Sequence, residues 1–196
     1  MRIAATSLTP GDELAQAVAT ILEQVGENPN REGLLDTPSR VAESLRYLTK
    51  GYADNPSTIV GDAIFAVEGY DDMVIVKDIA FFSLCEHHLL PFFGRVHIGY
   101  VPEGRVVGLS KLPRLVDAYS RRLQIQERMT REIAEAINGV VAPRGVGVVV
   151  EGRHLCIEMR GVEKENSQTV TSCMLGVFRS DQRTRAEFLS HIQQSP

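Results

Sequence analysis

The fold is decided by the stretch Arg95-Val96-His97-Ile98-Gly99-Tyr100-Val101, in which large apolar side chains alternate with other residues. A period of two is typical of a β-strand with one buried face. The turn residues Pro102-Glu103-Gly104 follow, and we expect the segment 105–109 to pair with this strand as a hairpin. Upstream, the run Met73-Val74-Ile75-Val76 is also rich in strand-forming residues.

Outward from this stretch, strands and helices come in groups. Long strands are predicted at 146–159 and 169–178, whereas helical spacing follows Ser110, covers 126–138 and returns after Ser180. Grouped elements favour an antiparallel α+β domain over a parallel βαβ sheet. We therefore predict an α+β domain over residues 71–196.

The preceding residues 1–70 are predicted to form a helical region. Thr9-Pro10 and Thr37-Pro38 each place proline at the start of an apolar stripe with helical spacing. The two stripes end at Gly26 and Gly51, respectively, and glycine commonly follows the last turn of a helix.

Composition excludes several classes of protein. The 196 residues carry a net charge of −4, which argues against general nucleic-acid binding but permits a local site for a small anion. We see neither an apolar run of about 20 residues nor a secretory signal, and the cysteines number three. We therefore expect a cytoplasmic protein whose cysteines stay reduced.

Two short segments concentrate metal-binding side chains. Cys85-Glu86-His87-His88 is the first, and His154-Leu155-Cys156 is the second. Cysteine and histidine are the preferred ligands of zinc, and residues two apart on a strand point to the same face. With Cys85 and His88 converging in a turn, three ligands would leave one position open for water, as in a catalytic zinc site.

Simpler explanations exist for the same residues. Cys156 in an apolar strand can be a buried core thiol, and a lone histidine is commonly satisfied by a backbone partner. A disulfide between Cys85 and Cys156 is a further alternative, although a reducing cytoplasm disfavours it. Cys173 has no neighbouring histidine and is predicted to be a core residue.

Charged residues at helix starts point to an anionic ligand. Ser110, Lys111 and Arg114 lie at a strand-to-helix junction, where free backbone N–H groups favour anions, and Arg160 follows the second cysteine segment. A solvated basic surface is the alternative. The pair Gln126-Glu127 also begins a helix, where a glutamate is usually only a favourable partner of the helix dipole.

Taken together, these segments resemble GTP cyclohydrolase I in order and spacing. The motifs that carry the resemblance are Ser83–Phe92 (SLCEHHLLPF), Gly108–Leu112 (GLSKL), Gln124–Arg128 (QIQER) and His154–Val162 (HLCIEMRGV). Four motifs in register are far more specific than one. The likeness is strong over 73–189 and looser over 31–52, and Gly152 and Ile157 depart from it without removing a donor group.

The resemblance implies a fold, an assembly and a role for each motif residue. The fold is the tunnelling fold, an antiparallel sheet with helices on one face, assembled as a homodecameric ring with shared active sites. The implied zinc ligands are Cys85, His88 and Cys156. The implied catalytic residues are His154 (the leading candidate for proton donor), His87 and Ser110. The implied substrate-binding residues are Glu86, Lys111, Arg114, Gln126, Glu127 and Arg160, with Gln126 and Glu127 on guanine.

The reaction implied is hydrolytic opening of the purine ring of GTP, release of formate and rearrangement to 7,8-dihydroneopterin triphosphate. Zinc suits the first step because it can lower the pKa of bound water to about 7. The alternatives that stay open are another tunnelling-fold enzyme, such as a pterin synthase or a nitrile reductase, and a zinc-stabilised GTP-binding regulator without turnover.

Overall fold

The computed structural model describes residues 12–193 and divides into two compact units, of which one ends at Thr49 and the other begins at Lys50. The first unit contains helices α1 (Glu13–Gln24) and α2 (Thr37–Leu48), with a 3₁₀ turn between them. The Asp12 carboxylate caps α1, accepting from the backbone N–H of Ala15 at 3.1 Å. The predicted start at Thr9-Pro10 lies outside the described residues, whereas the start at Thr37 is confirmed.

The second unit is built on a five-stranded sheet in the order β5-β2-β3-β6-β7. Its strands are β2 (Val74–Cys85), β3 (Pro91–Val101), β5 (Leu123–Gln124), β6 (Gly145–His154) and β7 (Thr169–Gly176). All neighbouring pairs are antiparallel except the short parallel pair of β5 with β2. The predicted antiparallel α+β class is therefore confirmed, while the domain boundary at residue 70 stays a prediction.

The hairpin predicted after Val101 is wrong. Strand β4 (Arg105–Val107) pairs instead with β1 (Ile64–Ala66) in a separate two-stranded sheet. The reason is that β3 has no free edge, because β2 occupies one side of it and β6 the other along most of its length.

Both long strands predicted near the C-terminus end early. β6 stops at His154 and gives way to the one-turn helix α6 (Leu155–Glu158), across which Arg153 forms a two-point ion pair with the Glu158 carboxylate. β7 stops at Gly176, whose φ of +55° favours glycine and where a Cβ would collide with the Arg144 carbonyl.

The remaining helices cover the sheet. α4 (Lys111–Ser120) and α5 (Gln126–Val141) pack on one face, and α3 (Pro56–Val60) contacts them both. The short α7 (Val177–Ser180) precedes α8 (Gln182–Gln193), which Asp181 caps in place of the predicted Ser180. Phe188 of α8 lies against Gly99 and Gly147 on the other face. Within residues 12–193, no helix is both long and apolar enough to cross a bilayer.

Candidate metal centre and its surroundings

The sheet register brings the two cysteine segments together. Phe92 of β3 lies opposite Ser83 on one side and opposite His154 on the other. The end of β2, which carries Cys85, and the end of β6 therefore meet at the same end of the sheet. The predicted same-face argument for His154 and Cys156 is wrong, because Cys156 lies on α6 and not on the strand.

Cys85, His88 and Cys156 form a cluster whose ligand atoms all lie within 4.8 Å of one another. The Cys85 Sγ is 3.7 Å from His88 Nδ1 and 3.9 Å from His87 Nδ1. A tight turn produces this approach, since the Leu89 N–H donates to the Cys85 carbonyl at 2.8 Å and Leu89 takes a φ of +55°. Both cysteines are buried, while His88 is exposed.

These three side chains fit a metal ion of the zinc type. Bond lengths of about 2.3 Å to sulfur and 2.0–2.1 Å to nitrogen, with tetrahedral angles, separate S and N ligands by about 3.6 Å. The observed 3.7 Å between Cys85 Sγ and His88 Nδ1 agrees with this value. Both cysteines are free thiols, and two thiols with an imidazole suit zinc better than calcium or magnesium.

Electrostatics at the cluster also favour a cation. Burial, and then the neighbouring Cys85, raise the pKa of the Cys156 thiol above its usual range. Two thiolates held this close repel each other, and a bound divalent cation would reverse that penalty by stabilising the deprotonated forms. The Arg160 guanidinium, like a bound cation, lowers the pKa of the Cys156 thiol, but its effect is smaller than the opposing effect of burial.

His154 lies beside this cluster and is held on two sides. Its Nε2 is 2.9 Å from the Gln126 Oε1, and its ring stacks on Phe92 with centroids 4.6 Å apart and planes within 5°. Burial lowers the pKa of His154, which favours the neutral ring, whereas the Glu127 carboxylate partly opposes this shift. Gln126 is fully buried, and protein groups occupy both ends of its amide.

Glu127 is exposed in the first turn of α5 and lines a cavity of about 630 Å³ between α5 and β7. Two cations, Arg131 and Arg179, line the same cavity, so it offers positive charge to an anionic ligand. Neither arginine was assigned a role from the sequence. Arg131 was nevertheless detectable, since it lies four residues after Glu127 on one helix face.

The predicted anion-binding residues occupy two places. Ser110, Lys111 and Arg114 lie at the N-terminus of α4, where the Ser110 side chain makes no capping hydrogen bond. Arg160 follows α6 and is exposed near Cys156. Among residues 12–193, none of these four side chains is hydrogen-bonded to the cysteine–histidine cluster.

Glu86 already has a protein partner. Its carboxylate forms an ion pair with Arg128, which holds the pKa of Glu86 below its usual range. Arg128 also donates to the Gln124 side chain at 2.9 Å. Sequence reasoning missed this arginine, although it lies inside the motif that contains Gln126, and a lone arginine on a helix gives no signal of its partner.

A five-stranded, mostly antiparallel sheet that positions a Cys-His-Cys cluster beside a half-buried histidine defines an α+β protein with a candidate catalytic metal centre. The family model described as GTP cyclohydrolase I matches residues 14–193, which is most of the chain. The chain belongs to this family and is an enzyme of it, as the sequence motifs predicted.

Curated relatives agree with that membership. The chain is 58% identical over 182 residues to a GTP cyclohydrolase 1 of Chlorobium chlorochromatii, covering 93% of this chain and 81% of the relative. It is 59% identical over 180 residues to the human GTP cyclohydrolase 1, covering 92% of this chain and 72% of the relative. A solved QueF-like archaeosine synthase aligns with 53% of this chain and 93% of its own, at 21% identity and a TM-score of 0.43, and nothing is concluded from so distant a likeness.

Proposed function

We propose that this chain hydrolyses the purine ring of GTP with zinc, releases formate and forms 7,8-dihydroneopterin triphosphate. The proposal is supported by one observation above all, the convergence of Cys85, His88 and Cys156 beside His154 in a chain of the GTP cyclohydrolase I family. The product would enter tetrahydrofolate or another pterin pathway. The free cysteines fit a reducing cytoplasm as the site of action.

In this proposal Cys85, His88 and Cys156 hold the zinc ion. A bound zinc ion would supply Lewis acidity, which activates water for attack on the carbon between the two imidazole-ring nitrogens of guanine. The chain's own contribution is to keep three ligands converged, which would leave a fourth position for water. A closed four-ligand site would stabilise the fold without offering a position to water.

His154 and His87 are the proposed proton-transfer residues. Breaking the ring carbon–nitrogen bond requires a proton on the departing nitrogen, and a positioned imidazole typically contributes about 10²–10⁴-fold to such a step. His154 is half-buried and oriented by two neighbours, whereas His87 is exposed and 3.9 Å from the Cys85 Sγ. These positions suit His154 to the first transfer and His87 to later opening and closure.

The remaining site residues are proposed to bind the substrate. The exposed Glu127 carboxylate can accept the two guanine donors that adenine lacks. Ser110, Lys111, Arg114 and Arg160 would bind the ribose and triphosphate, with Ser110 also aiding sugar rearrangement. Because Glu86 is paired with Arg128, we propose that any contact of Glu86 with substrate is made together with that arginine.

A ring of subunits, such as a homodecamer, is the proposed assembly. β7 is an edge strand whose outer side has no partner among the described residues, and it exposes 60% of Val170. Open strand edges are normally paired or covered in native proteins. The cavity that contains Glu127 lies beside this edge, so pairing there would enclose it with a neighbouring subunit.

The deciding experiment incubates the zinc-loaded protein with GTP and measures formate together with a fluorescent pterin after oxidation. Both products in equal amounts are expected. A nitrile reductase would instead consume NADPH, a pterin synthase would leave GTP intact, and a regulator would bind GTP without releasing formate. ATP serves as the matched control substrate, and comparable formate release from ATP would contradict the proposed guanine recognition.

A further inference from the structure

We propose that Gln126 is a positioning residue that holds His154 in the Nε2–H tautomer, so that Nδ1 is the nitrogen that exchanges a proton with the substrate. This inference rests on the proposed function for its catalytic consequence, but its structural part does not. It assigns to Gln126 a role that differs from the guanine contact that the sequence motif predicts.

The orientation of the Gln126 amide follows from its acceptors. Its Nε2 lies 3.0 Å from the Val150 carbonyl oxygen and 2.9 Å from the Thr169 carbonyl oxygen. Carbonyl oxygens only accept, so the NH₂ group must face both of them, and the reversed amide would oppose three oxygens. The Oε1 must therefore face His154.

A chain of hydroxyl groups reinforces this orientation. Thr130 donates from Oγ1 to the Gln126 backbone carbonyl at 2.6 Å, and the Thr130 and Thr171 hydroxyls are 2.7 Å apart. With the Thr130 proton used, Thr171 must donate to Thr130, which leaves the Thr171 oxygen as an acceptor 3.1 Å from the Gln126 Nε2. Every neighbour of this nitrogen is thus an acceptor.

The tautomer of His154 follows in turn. An amide oxygen only accepts, so the imidazole nitrogen 2.9 Å away must carry the hydrogen. In a neutral ring this leaves a lone pair on Nδ1, which has no hydrogen-bond partner among residues 12–193. The Phe92 ring stacks on the His154 ring at 4.6 Å and with planes within 5°, which favours the ring plane that keeps the Gln126 contact.

The chemical consequence concerns the path of the proton. A proton that reaches His154 adds to the Nδ1 lone pair, and the resulting positive charge is shared with an Nε2–H that already points at the Gln126 oxygen. The same Nδ1 proton is then the one returned to a substrate atom. A partner that fixes the tautomer of a catalytic histidine acts in the same way in hydrolytic triads.

Nitrogen NMR on protein labelled with ¹⁵N-histidine tests the structural part without any turnover. The chain has five histidines, and the His154 signals are those lost in His154→Gln. We expect a protonated Nε2 and an unprotonated Nδ1 at His154 in the wild-type protein. The opposite tautomer in the wild type would overturn the proposal, whether or not any variant folds.

Steady-state kinetics of Gln126→Met test the functional part. Gln124→Met is the control for the His154 tautomer, because Gln124 is another buried glutamine but does not touch the His154 ring. For Gln126→Met we expect mixed tautomers and a kcat lower by about 10- to 100-fold with KM within about twofold. For Gln124→Met we expect the wild-type tautomer.

A raised KM with unchanged kcat in Gln126→Met would overturn the proposal in favour of substrate reading. A wild-type tautomer in that variant would overturn it as well. If the wild type releases no formate from GTP, the proposed function fails, while the tautomer measurement still decides the role of Gln126.

Discussion

Replacing Cys156 with serine should remove the metal and the activity together while leaving the fold intact. Cys156 is one of the three donors that converge among residues 12–193, and it lies on a one-turn helix across which Arg153 and Glu158 form an ion pair that involves no metal. Serine is close to cysteine in size but is a poor ligand for zinc at neutral pH. The substitution therefore removes a ligand and very little packing.

The size of the effect follows from the ligand count. Structural zinc sites with four ligands bind with about 10–16 kcal/mol, or about 2.5–4 kcal/mol for each ligand. Loss of one ligand should therefore raise the Kd for zinc by about 10²–10³-fold.

Metal content after dialysis against a weak chelator measures the change, with Cys173→Ser as the matched control. Cys173 is half-buried and lies on β7, outside the cluster, so its variant should keep one zinc per subunit. Far-ultraviolet circular dichroism checks that Cys156→Ser is folded. Stoichiometric zinc in folded Cys156→Ser would refute the assigned ligand set.

Four further outcomes are expected. His88→Ala should lose zinc, whereas His154→Ala should keep zinc and bind GTP but turn over slowly; the reverse pattern in metal analysis would mean that ligand and proton-transfer residue were exchanged. Glu127→Ala should keep zinc and lower kcat/KM for GTP by about 5- to 160-fold, since an unpaired buried donor costs about 1–3 kcal/mol; unchanged kinetics would rule out the guanine contact. Burial lowers the pKa of His97, so its stabilising contribution is present above about pH 6.5 and is lost as pH falls toward its folded-state pKa. The variant His97→Gln can still accept a hydrogen bond from the Asp78 N–H. Its Tm should fall less than that of the wild type between pH 7.5 and 5.5, and equal decreases in Tm would contradict this. Sedimentation should give a closed oligomer, and a species of 21.7 kDa would count against the ring.

Local chemistry was readable from the sequence. The alternation over 95–101 indicated a strand, and β3 indeed spans Pro91–Val101. The helical spacing after Gln126 indicated α5, which begins at that residue. The donor types of Cys85, His88 and Cys156 indicated a metal site, and these three side chains converge in the structure.

The route by which these residues converge was not readable. The prediction relied on a continuous strand through Cys156, but the strand ends at His154 and a helical turn follows, across which Arg153 and Glu158 pair. Periodicity alone does not show where a strand gives way to such a turn. The three residues named as metal ligands do converge, but the geometric reason given for Cys156 was wrong.

Residue types and short spacings were enough to indicate the strand and helix periods, the donor atoms and the family motifs. The pairing of β4 with β1, the ion pair of Arg128 with Glu86 and the contact of Gln126 with His154 became visible only in the folded chain. The physical reason is that these contacts join residues 28 to 43 positions apart, and each depends on which strand edges and buried acceptors other elements have already occupied.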